Sequence, residues 1–292
     1  MSSSISFGRT FTISSMAVSR RTALKALAAA GLGVVAGGAA YGFFYGREAL
    51  QLTSLDVPVR GLPAELSGLR IGLISDVHRS QWVSADDVAA AVALTMAARP
   101  DLIVLGGDYV TWGDRRFVDT AAEGLSGLSA PNGVFAILGN HDDDHDMPAA
   151  LARQRVQVLR DARTRLEIGG SAIELVGIRF WTKRQSDIAA LTKNAKDPVI
   201  LLAHDPRRFT EAVELDVPLV LSGHTHGGQV VLPGVGAIAA RKFPVVSGLA
   251  RQDNTTLFVS RGVGTVYVPI RLNCPPEVVL LTLRSENLPR HV

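Results

Sequence analysis

Five short polar motifs, each placed directly after an apolar run rich in β-branched residues, constrain the fold of this chain more than any other feature. The runs are continuous rather than alternating, which is the pattern of strands buried on both faces of a sheet. They cover residues 70–75, 102–106, 134–138, 199–203 and 217–222. Because ligands in open α/β sheets bind outside the carboxyl ends of the strands, this arrangement predicts an α/β fold with a site at those ends.

The motifs contain five of the seven histidines in the chain, and only His145 and His291 fall outside them. In chain order they read Asp76-Val77-His78, Gly107-Asp108, Gly139-Asn140-His141-Asp142, His204-Asp205-Pro206 and Gly223-His224-Thr225-His226-Gly227-Gly228-Gln229. Carboxylate, imidazole and amide donors without cysteine suit manganese, iron, zinc or magnesium, and differ from the thiolate-rich set of structural zinc sites. We therefore expect one cluster of divalent-metal ligands at the strand ends.

Each motif also has an ordinary structural explanation when it is taken alone. An aspartate–histidine or glycine–aspartate pair after a strand is common, and Asn and Asp favour turns for reasons unrelated to metals. The motif with His224 and His226 is the strongest single signal, because residues at i and i+2 of an extended segment lie on one side and the flanking glycines permit close backbone approach. All five motifs in this order favour a metal site over five unrelated turns.

In this order, the motifs resemble those of calcineurin-like metallophosphoesterases, and within that superfamily the exported bacterial branch that carries a twin-arginine signal. The resemblance covers about residues 66–283, including the late segments 260–264 and 269–277. It implies a four-layer αββα sandwich of two mixed β-sheets flanked by helices, with a binuclear metal site at the carboxyl ends of the strands. By position, it implies one metal ion held by Asp76, His78, Asp108 and His226, and a second held by Asp108, Asn140, His204 and His224, with Asp108 as the bridge.

The resemblance further implies a metal-dependent hydrolase of phosphoesters. Two divalent ions about 3.5–4 Å apart generate a hydroxide at neutral pH and clamp the oxygens of an in-line displacement, so no covalent intermediate is required. We expect His141 to face the leaving-group oxygen as a general acid or a charge stabiliser. Asp142 is expected to hydrogen-bond the other imidazole nitrogen of His141 and fix its orientation; the alternative for Asp142 is a turn carboxylate.

Several other residues are weaker candidates. In the acidic run that follows the third motif, Asp146 is explained by a helix N-cap before a proline rather than by an extra metal site. Arg79 and Trp82 are candidates for contact with a phosphate or an organic group, with a surface role as the alternative. Arg271 is a candidate for a substrate phosphate, with a salt bridge as the alternative. Cys274, the only cysteine, is expected to be a small buried residue.

The segments between the motifs predict further elements. The sequence from Ser84 to Asp87 predicts a capping box that opens a helix over residues 88–96, which Arg99-Pro100 ends. Short strands are expected within residues 159–180 and a short helix over residues 186–193.

The N-terminus carries a second signal. The sequence Ser19-Arg20-Arg21-Thr22-Ala23-Leu24-Lys25 resembles the twin-arginine export motif, although Ala23 replaces the phenylalanine often found there. Residues 26–46 are uncharged and rich in Ala and Gly, which is typical of a signal-peptide core, yet the stretch is long enough to span a membrane. We therefore predict a signal peptide or N-terminal anchor over residues 1–46 and a metallophosphoesterase domain over residues 47–292, with Met16 as an alternative start.

Composition agrees with one globular domain after this leader. The chain of 292 residues is 47% hydrophobic and 20% charged, which is ample for a core. Its formal net charge of +3 is too diffuse to predict nucleic-acid binding. We expect a monomer exported across the cytoplasmic membrane to the periplasm or cell envelope, free or anchored through its N-terminus. Its expected partners are the twin-arginine export machinery and a phosphoester substrate.

Among phosphoesters, the resemblance favours diesters over monoesters, because the ligands alone do not report the number of ester groups. One alternative is a pyrophosphatase that acts on a lipid-linked nucleotide sugar at the membrane surface. A second is a non-catalytic metal-binding protein of the cell envelope, which the intact set of expected ligands argues against.

Overall fold

The structure is a computed structural model that describes residues 19–286, so Met1, Met16 and His291 lie outside the described residues. Within the described residues, the chain divides into two compact units, one that ends at Ala40 and one that begins at Tyr41. Helix α1 (Arg20–Tyr41) begins after Ser19, whose hydroxyl accepts the backbone N–H of Thr22, and none of its residues is buried. The segment Arg20–Gly46, with a mean hydropathy of 1.6, is long and apolar enough to cross a membrane, a criterion that a signal sequence near the N-terminus also meets.

The second unit opens with a π-helical turn, Gly42–Gly46, and continues into a mixture of helices and strands. Its α-helices are α2 (Ala85–Ala97), α3 (Val118–Gly124), α4 (Asp146–Arg153), α5 (Gln185–Thr192) and α6 (Phe209–Glu214). Its strands are β1 (Gln51–Arg60), β2 (Arg70–Ile74), β3 (Leu102–Leu105), β4 (Val134–Ala136), β5 (Gln157–Val158), β6 (Ala162–Ile168), β7 (Ser171–Gly177), β8 (Val199–Leu202), β9 (Leu219–Ser222), β10 (Val231–Leu232), β11 (Gly236–Ala237), β12 (Gly248–Gln252), β13 (Thr255–Val259) and β14 (Glu277–Glu286).

Twelve of these strands form two six-stranded sheets. The first has the order β1-β14-β2-β3-β4-β5 and the second the order β12-β13-β9-β8-β7-β6, while β10 and β11 form a small separate pair. In the first sheet β2 to β5 are parallel and β14 is antiparallel to β2. In the second, β7, β8, β9 and β13 are parallel, and the edge strands β6 and β12 are antiparallel to their neighbours. Both sheets are therefore mixed.

Three hydrophobic cores separate four layers. One core lies between the sheets, a second between the first sheet and α2, α3 and α4, and a third between the second sheet and α5 and α6. Alternate residues of β3 enter different cores: Leu102 and Val104 pack between the sheets, whereas Ile103 and Leu105 pack against the helices. Strands buried on both faces explain the continuous apolar runs, and the expected four-layer sandwich is confirmed.

The elements between the motifs also form largely as expected. Ser84 caps α2 by accepting the N–H of Asp87, whose carboxylate accepts the N–H of Ser84 in return. The expected N-cap at Asp146 is wrong. Helix α4 starts at Asp146, and the carboxylate that accepts its N–H belongs to Asp143, three residues earlier, because a capping side chain must precede the turn it satisfies.

Candidate metal centre

Two clusters of carboxylates and imidazoles lie at the carboxyl ends of strands from both sheets. One contains Asp76, His78 and His226, the other Asp108, His204 and His224, and the ligand atoms within each cluster lie within 4.8 Å of one another. These residues follow β2, β3, β8 and β9. The two sheets therefore contribute jointly, and the structure brings together six of the seven residues expected as metal ligands.

Asp108 contacts both clusters. Its Oδ2 lies 3.5 Å from Nε2 of His78 and 3.1 Å from Nε2 of His204. Across the centre, Oδ1 of Asp76 lies 3.4 Å from Nε2 of His226 and 3.9 Å from Nε2 of His204. The six side chains thus form one continuous polar group, and Asp108 occupies the position between its halves.

Hydrogen bonds at the outer nitrogens orient two of the imidazoles. Nδ1 of His204 lies 2.7 Å from the carbonyl oxygen of Gly106, and Nδ1 of His78 lies 3.0 Å from the hydroxyl of Thr111. The Nε2 atoms of both rings are left to face the carboxylates, and that of His78 lies 3.1 Å from Nε2 of His226. Outer partners of this kind fix the ring orientation and the tautomer of metal-binding histidines.

The backbone at the centre is held in an uncommon conformation. Positive φ values between 49° and 73° occur at Asp76, His78, Asp108, His224 and His226. Non-glycine residues seldom adopt this region, and such strain collects at functional sites, where the surrounding structure enforces it.

Two glycines of the motifs make room for carboxylates. A Cβ atom on Gly139 would collide with the carboxylate of Asp108, and one on Gly223 would collide with that of Asp76 and with the hydroxyl of Ser75. The Ser75 hydroxyl donates a hydrogen bond to Asp76. These close approaches explain why both motifs begin with glycine.

Burial and neighbouring charge perturb the pKa values of these groups strongly. Burial raises the pKa of Asp76 to about 6 and lowers the pKa of His78 to about 3. Burial alone would also raise the pKa of Asp108, but the charge and hydrogen bond of His204 outweigh it and hold this pKa well below its usual range. Conversely, burial opposes the charge on His204, yet Asp108 raises the pKa of this imidazole to about 10.

The remaining ligand candidates fit a cation as well. Burial lowers the pKa of His224 to about 3 and that of His226 well below its ordinary value, which leaves both imidazoles in the neutral form that binds metals. Oδ1 of Asn140 is buried and has no hydrogen-bond partner within residues 19–286. A buried polar atom without a partner is costly, and a cation would satisfy it. The chain neighbour His141 donates its backbone N–H to Asp108 at 2.8 Å, which places this loop beside the centre.

The profile of the calcineurin-like phosphoesterases matches residues 69–228, the stretch that contains all seven expected ligands. The chain belongs to this family. It is 32% identical over 280 residues to Phosphodiesterase YaeI of Escherichia coli (strain K12), covering 91% of this chain and 99% of that protein. It is 29% identical over 283 residues to the uncharacterized metallophosphoesterase YkuE of Bacillus subtilis (strain 168), covering 92% and 99%. The solved NAD nucleotidase NadN of Haemophilus influenzae aligns with a TM-score of 0.47 at 14% identity, over 67% of this chain and 45% of that one.

As a calcineurin-like phosphoesterase, the chain is a hydrolase of phosphoesters. The family depends on two metal ions, and the chain provides two clusters of metal-binding residues to match.

His141 lies beside the centre in an orientation that the sequence did not predict. Its ring centroid is 5.0 Å from that of His78, and its Nδ1 accepts the backbone N–H of Trp112 at 2.9 Å. Asp142, which we expected to bond the other nitrogen of this imidazole, does not do so, and the alternative of a turn carboxylate is the one observed. Its carboxylate instead accepts the backbone N–H groups of Asp108, Tyr109 and Gly139, because the sharp turns after β3 and β4 leave these groups without ladder partners.

Arg271 takes neither of its expected roles. It is completely buried and donates to the carbonyl oxygens of Arg261, Gly262, Gly264 and Cys274. The guanidinium therefore ties together a loop, and its donors face backbone rather than a phosphate or a carboxylate. Cys274 is buried and free, as expected.

Arg79 is likewise engaged with the backbone. It donates to the carbonyl oxygens of Ser80 and Val83, and its guanidinium carbon lies 4.9 Å from the centre of the Phe117 ring. Trp82 is 46% exposed and packs edge-on against Phe43. Arg79 is thus held by the backbone and by an aromatic ring rather than directed at a phosphate. Trp82 lines the same cleft as Trp112 and Tyr267 and stays a candidate for contact with an organic group.

Sequence reasoning missed the aromatic side chains that flank the centre. The ring of Trp112 lies 4.6 Å from that of His141, and Phe180 and Phe243 lie 5.3 and 5.1 Å from the ring of His224. The only available signal was proximity in sequence, since Trp112 follows Asp108 by four residues. Nothing in the sequence connects Phe180 or Phe243 with His224.

Proposed function

We propose that this calcineurin-like phosphoesterase is a phosphodiesterase whose two metal ions are held by Asp76, His78, Asp108, Asn140, His204, His224 and His226. The observation that supports this proposal most is the position of Asp108, whose Oδ2 is within 3.5 Å of an imidazole of each cluster. A carboxylate between two cation sites reduces the repulsion between two divalent ions. The donors suit manganese, iron, zinc or magnesium, because oxygen and imidazole ligands are compatible with each.

Two divalent ions bound here would lower the pKa of a water and neutralise charge on the phosphoryl group. His141 supplies a donor beside them. Because its Nδ1 accepts the N–H of Trp112, the proton of the neutral ring resides on Nε2. Burial lowers the pKa of His141, which favours that neutral ring. Of the two roles considered for His141, the geometry favours hydrogen-bond donation from Nε2 to developing charge over full proton transfer.

The preference for diesters draws on a relative. YaeI of Escherichia coli, which is 32% identical to this chain, is named a phosphodiesterase. A pyrophosphatase acting on a lipid-linked nucleotide sugar is the second candidate, favoured by the apolar segment Arg20–Gly46. A non-catalytic envelope protein is disfavoured, because the ligand set and the oriented His141 are both intact.

Hydrolysis assays on metal-reconstituted protein test this function. We expect turnover of bis(4-nitrophenyl) phosphate with added Mn²⁺, its loss with chelator, and weaker turnover of 4-nitrophenyl phosphate. A UDP-sugar pyrophosphate serves as the third substrate, and its preference over the diester would establish the second candidate. Folded protein that retains two metal equivalents and hydrolyses none of the three would overturn the proposal.

We further infer that the N-terminus directs export. Arg20 and Arg21 open the exposed helix α1, in line with recognition by the twin-arginine machinery. Curated relatives include a transmembrane protein with a metallophosphoesterase domain from Danio rerio, 29% identical over 266 residues, which supports the membrane-anchored form of this proposal. The proposed location is the periplasm or cell envelope, with the protein as a monomer.

The boundary between leader and enzyme remains a prediction at residue 46. Gly42 and Gly46 are both buried, and Gly42 accepts the backbone N–H of Arg271 with its carbonyl oxygen. Analysis of the mature N-terminus by mass spectrometry tests whether the segment is removed or retained.

A further inference from the structure

The two sides of the metal centre differ in charge. On the side of His141, Trp112 packs against both His141 and Tyr267. Trp112 is 67% exposed and Tyr267 is 76% exposed. They line an open cleft of about 530 Å³. Its arginine, Arg116, is already paired with Asp114 at 2.6 Å. We call Trp112 and Tyr267 the neutral wall.

On the side of His224, two lysine ammonium groups lie over aromatic rings. The Lys183 ammonium lies 5.0 Å from the ring centre of Trp181 and 5.7 Å from that of Phe180. The Lys242 ammonium lies 5.3 Å from the ring centre of Phe243. Because Phe180 and Phe243 both flank His224, each ammonium lies within about 11 Å of the His224 ring. We call Lys183 and Lys242 the cationic wall.

These two lysines are not committed to carboxylates. Within residues 19–286, neither has a carboxylate oxygen within 4.0 Å, whereas the arginines on the same side are paired: Arg207 with Asp205 at 2.6 Å, and Arg208 with Glu211. An ammonium over an aromatic ring still has N–H donors on the side away from the ring, and these can bind another partner. The ring also restrains the lysine side chain before binding. The side chain therefore loses less conformational entropy when it binds an anion than a free surface lysine would lose.

A small cavity connects Lys242, one of the two lysines of the cationic wall, to the histidines of the centre. It encloses about 150 Å³ and is lined by His224, His226, Lys242, Phe243 and Tyr267 among others. A substrate whose scissile phosphate lies at the histidines therefore has a path through this cavity towards Lys242. Tyr267 lines both this cavity and the open cleft, and so lies between the two spaces.

We propose that Lys183 and Lys242 form a subsite for a second phosphate group carried by the retained half of the substrate, while the neutral wall accepts an uncharged leaving group. This inference rests on the proposed phosphodiesterase function and assigns its substrate class: diesters or pyrophosphates with a further anionic phosphate beyond the scissile one. In such a substrate the retained half carries the additional phosphate and the leaving group is uncharged. This distribution of charge matches a cationic wall on one side of the centre and a neutral wall on the other.

A matched pair of substrates isolates the second phosphate. The 4-nitrophenyl ester of thymidine 5′-phosphate and the same ester with an added 3′-phosphate share the leaving group and the scissile linkage. We expect a higher kcat/KM for the 3′-phosphorylated ester. The ratio of the two values is the readout, because it cancels changes in metal loading and in the fraction of active protein.

Four lysine variants test the cationic wall. Lys183→Ala and Lys242→Ala should each lower the ratio by about three- to tenfold, and the double variant should lower it towards one. Lys242→Arg keeps the charge and should retain most of the ratio. Lys193→Ala is the matched control, since this exposed lysine after α5 lies over no aromatic ring in the described part of the chain, and its ratio should equal that of the unaltered protein.

Calorimetry provides a readout without turnover. Thymidine 3′,5′-bisphosphate should bind the metal-loaded protein more tightly than thymidine 5′-phosphate, and the double lysine variant should erase the difference. Co-sedimentation with phosphatidylglycerol vesicles examines whether the lysines serve a lipid surface instead.

The outcomes separate this inference from the proposed function. If neither ester is hydrolysed, the phosphodiesterase function fails, and the calorimetric comparison still decides the subsite. If both esters are hydrolysed at a ratio that the lysine variants do not change, the subsite is disproved while the function stands. Loss of vesicle binding in the lysine variants with an unchanged ratio would likewise overturn the subsite, in favour of a membrane contact.

Discussion

At the scale of single residues, Asp108 is the group on which both clusters depend. Its Oδ1 accepts the N–H of His141, and its Oδ2 contacts an imidazole of each cluster. Removing its charge therefore affects two sites, whereas Asn140 is assigned to only one. Asp108 and Asn140 consequently offer a direct test of the proposed ligand set.

We predict that Asp108→Asn loses more metal than Asn140→Ala. The first substitution removes the negative charge that offsets repulsion between two dications, and the second removes one neutral oxygen ligand. Elemental analysis of folded protein, with the fold checked by circular dichroism, measures the metal content. Two full metal equivalents in Asp108→Asn would contradict the assignment of Asp108 as the bridge.

His141 offers a second test at this scale. If Nε2 of the neutral ring donates a hydrogen bond to developing charge, His141→Ala should lower kcat by about 10²–10³-fold, the usual cost of one such donor. The loss should be similar for a bis-aryl diester and for a dialkyl diester, whose leaving group is a poor one, with both metals retained. His145→Ala, which alters an exposed histidine outside the centre, should have no effect.

The alternative role of His141 gives a different pattern. A general acid matters more for a poor leaving group, so a much larger loss on the dialkyl diester would indicate proton transfer. Loss of a metal in His141→Ala would show that the ligand set itself is wrong.

At the scale of elements, the connection between β13 and β14 supports the loop that follows β2 and bears Asp76 and His78. The backbone N–H groups of Val263 and Gly264 donate to the carbonyl oxygens of Ser75 and Asp76, at 3.0 and 2.7 Å. Arg271 holds this connection in place, because it donates to four carbonyl oxygens that all lie within it. The loop that bears Asp76 is thus positioned from a distant part of the sequence.

We predict that Arg271→Met lowers the free energy of unfolding by at least about 3 kcal/mol, since several buried carbonyl groups lose their donor. The melting temperature should fall by about 6–12 °C. Arg284→Met is the control, because Arg284 forms an exposed pair with Asp56 at 2.9 Å and such pairs contribute less than about 1 kcal/mol. Equal melting temperatures for the two variants would disprove the supporting role of Arg271.

At the scale of the whole molecule, the metal centre exists only when both sheets are in place. Residues after β2 and β3 of the first sheet meet residues after β8 and β9 of the second, so the clusters form only after the sandwich has assembled. The twin-arginine route carries folded proteins. Export by that route would allow the centre to assemble and take up metal before translocation.

We predict that replacing Arg20 and Arg21 together by Lys blocks export although the charge is unchanged, because a receptor for the guanidinium pair distinguishes Arg from Lys. Immunoblots of fractionated cells measure the distribution. Lys25→Arg preserves the pair and should be exported normally. Unchanged amounts of the Lys-Lys variant outside the cytoplasm would exclude the twin-arginine assignment.

The sequence by itself determined the buried strands of this fold and the identity of the clustered residues, while the four-layer arrangement was implied by the resemblance to the family. Continuous apolar runs require burial on both faces, as Leu102 and Ile103 show by entering opposite cores. Residues placed directly after such strands are confined to one edge, so Asp76, Asp108 and His204 could be expected together before any coordinates. Local patterns suffice there because strand burial and strand ends are properties of short segments.

Only the tertiary structure decided which groups support those residues. Trp112 rather than Asp142 bonds His141, Arg271 holds backbone rather than phosphate, and Lys242 lies over Phe243 beside the centre. Each of these contacts depends on the direction that a side chain or an N–H takes after a sharp turn. Such directions follow from packing between segments far apart in sequence, and no local pattern encodes them.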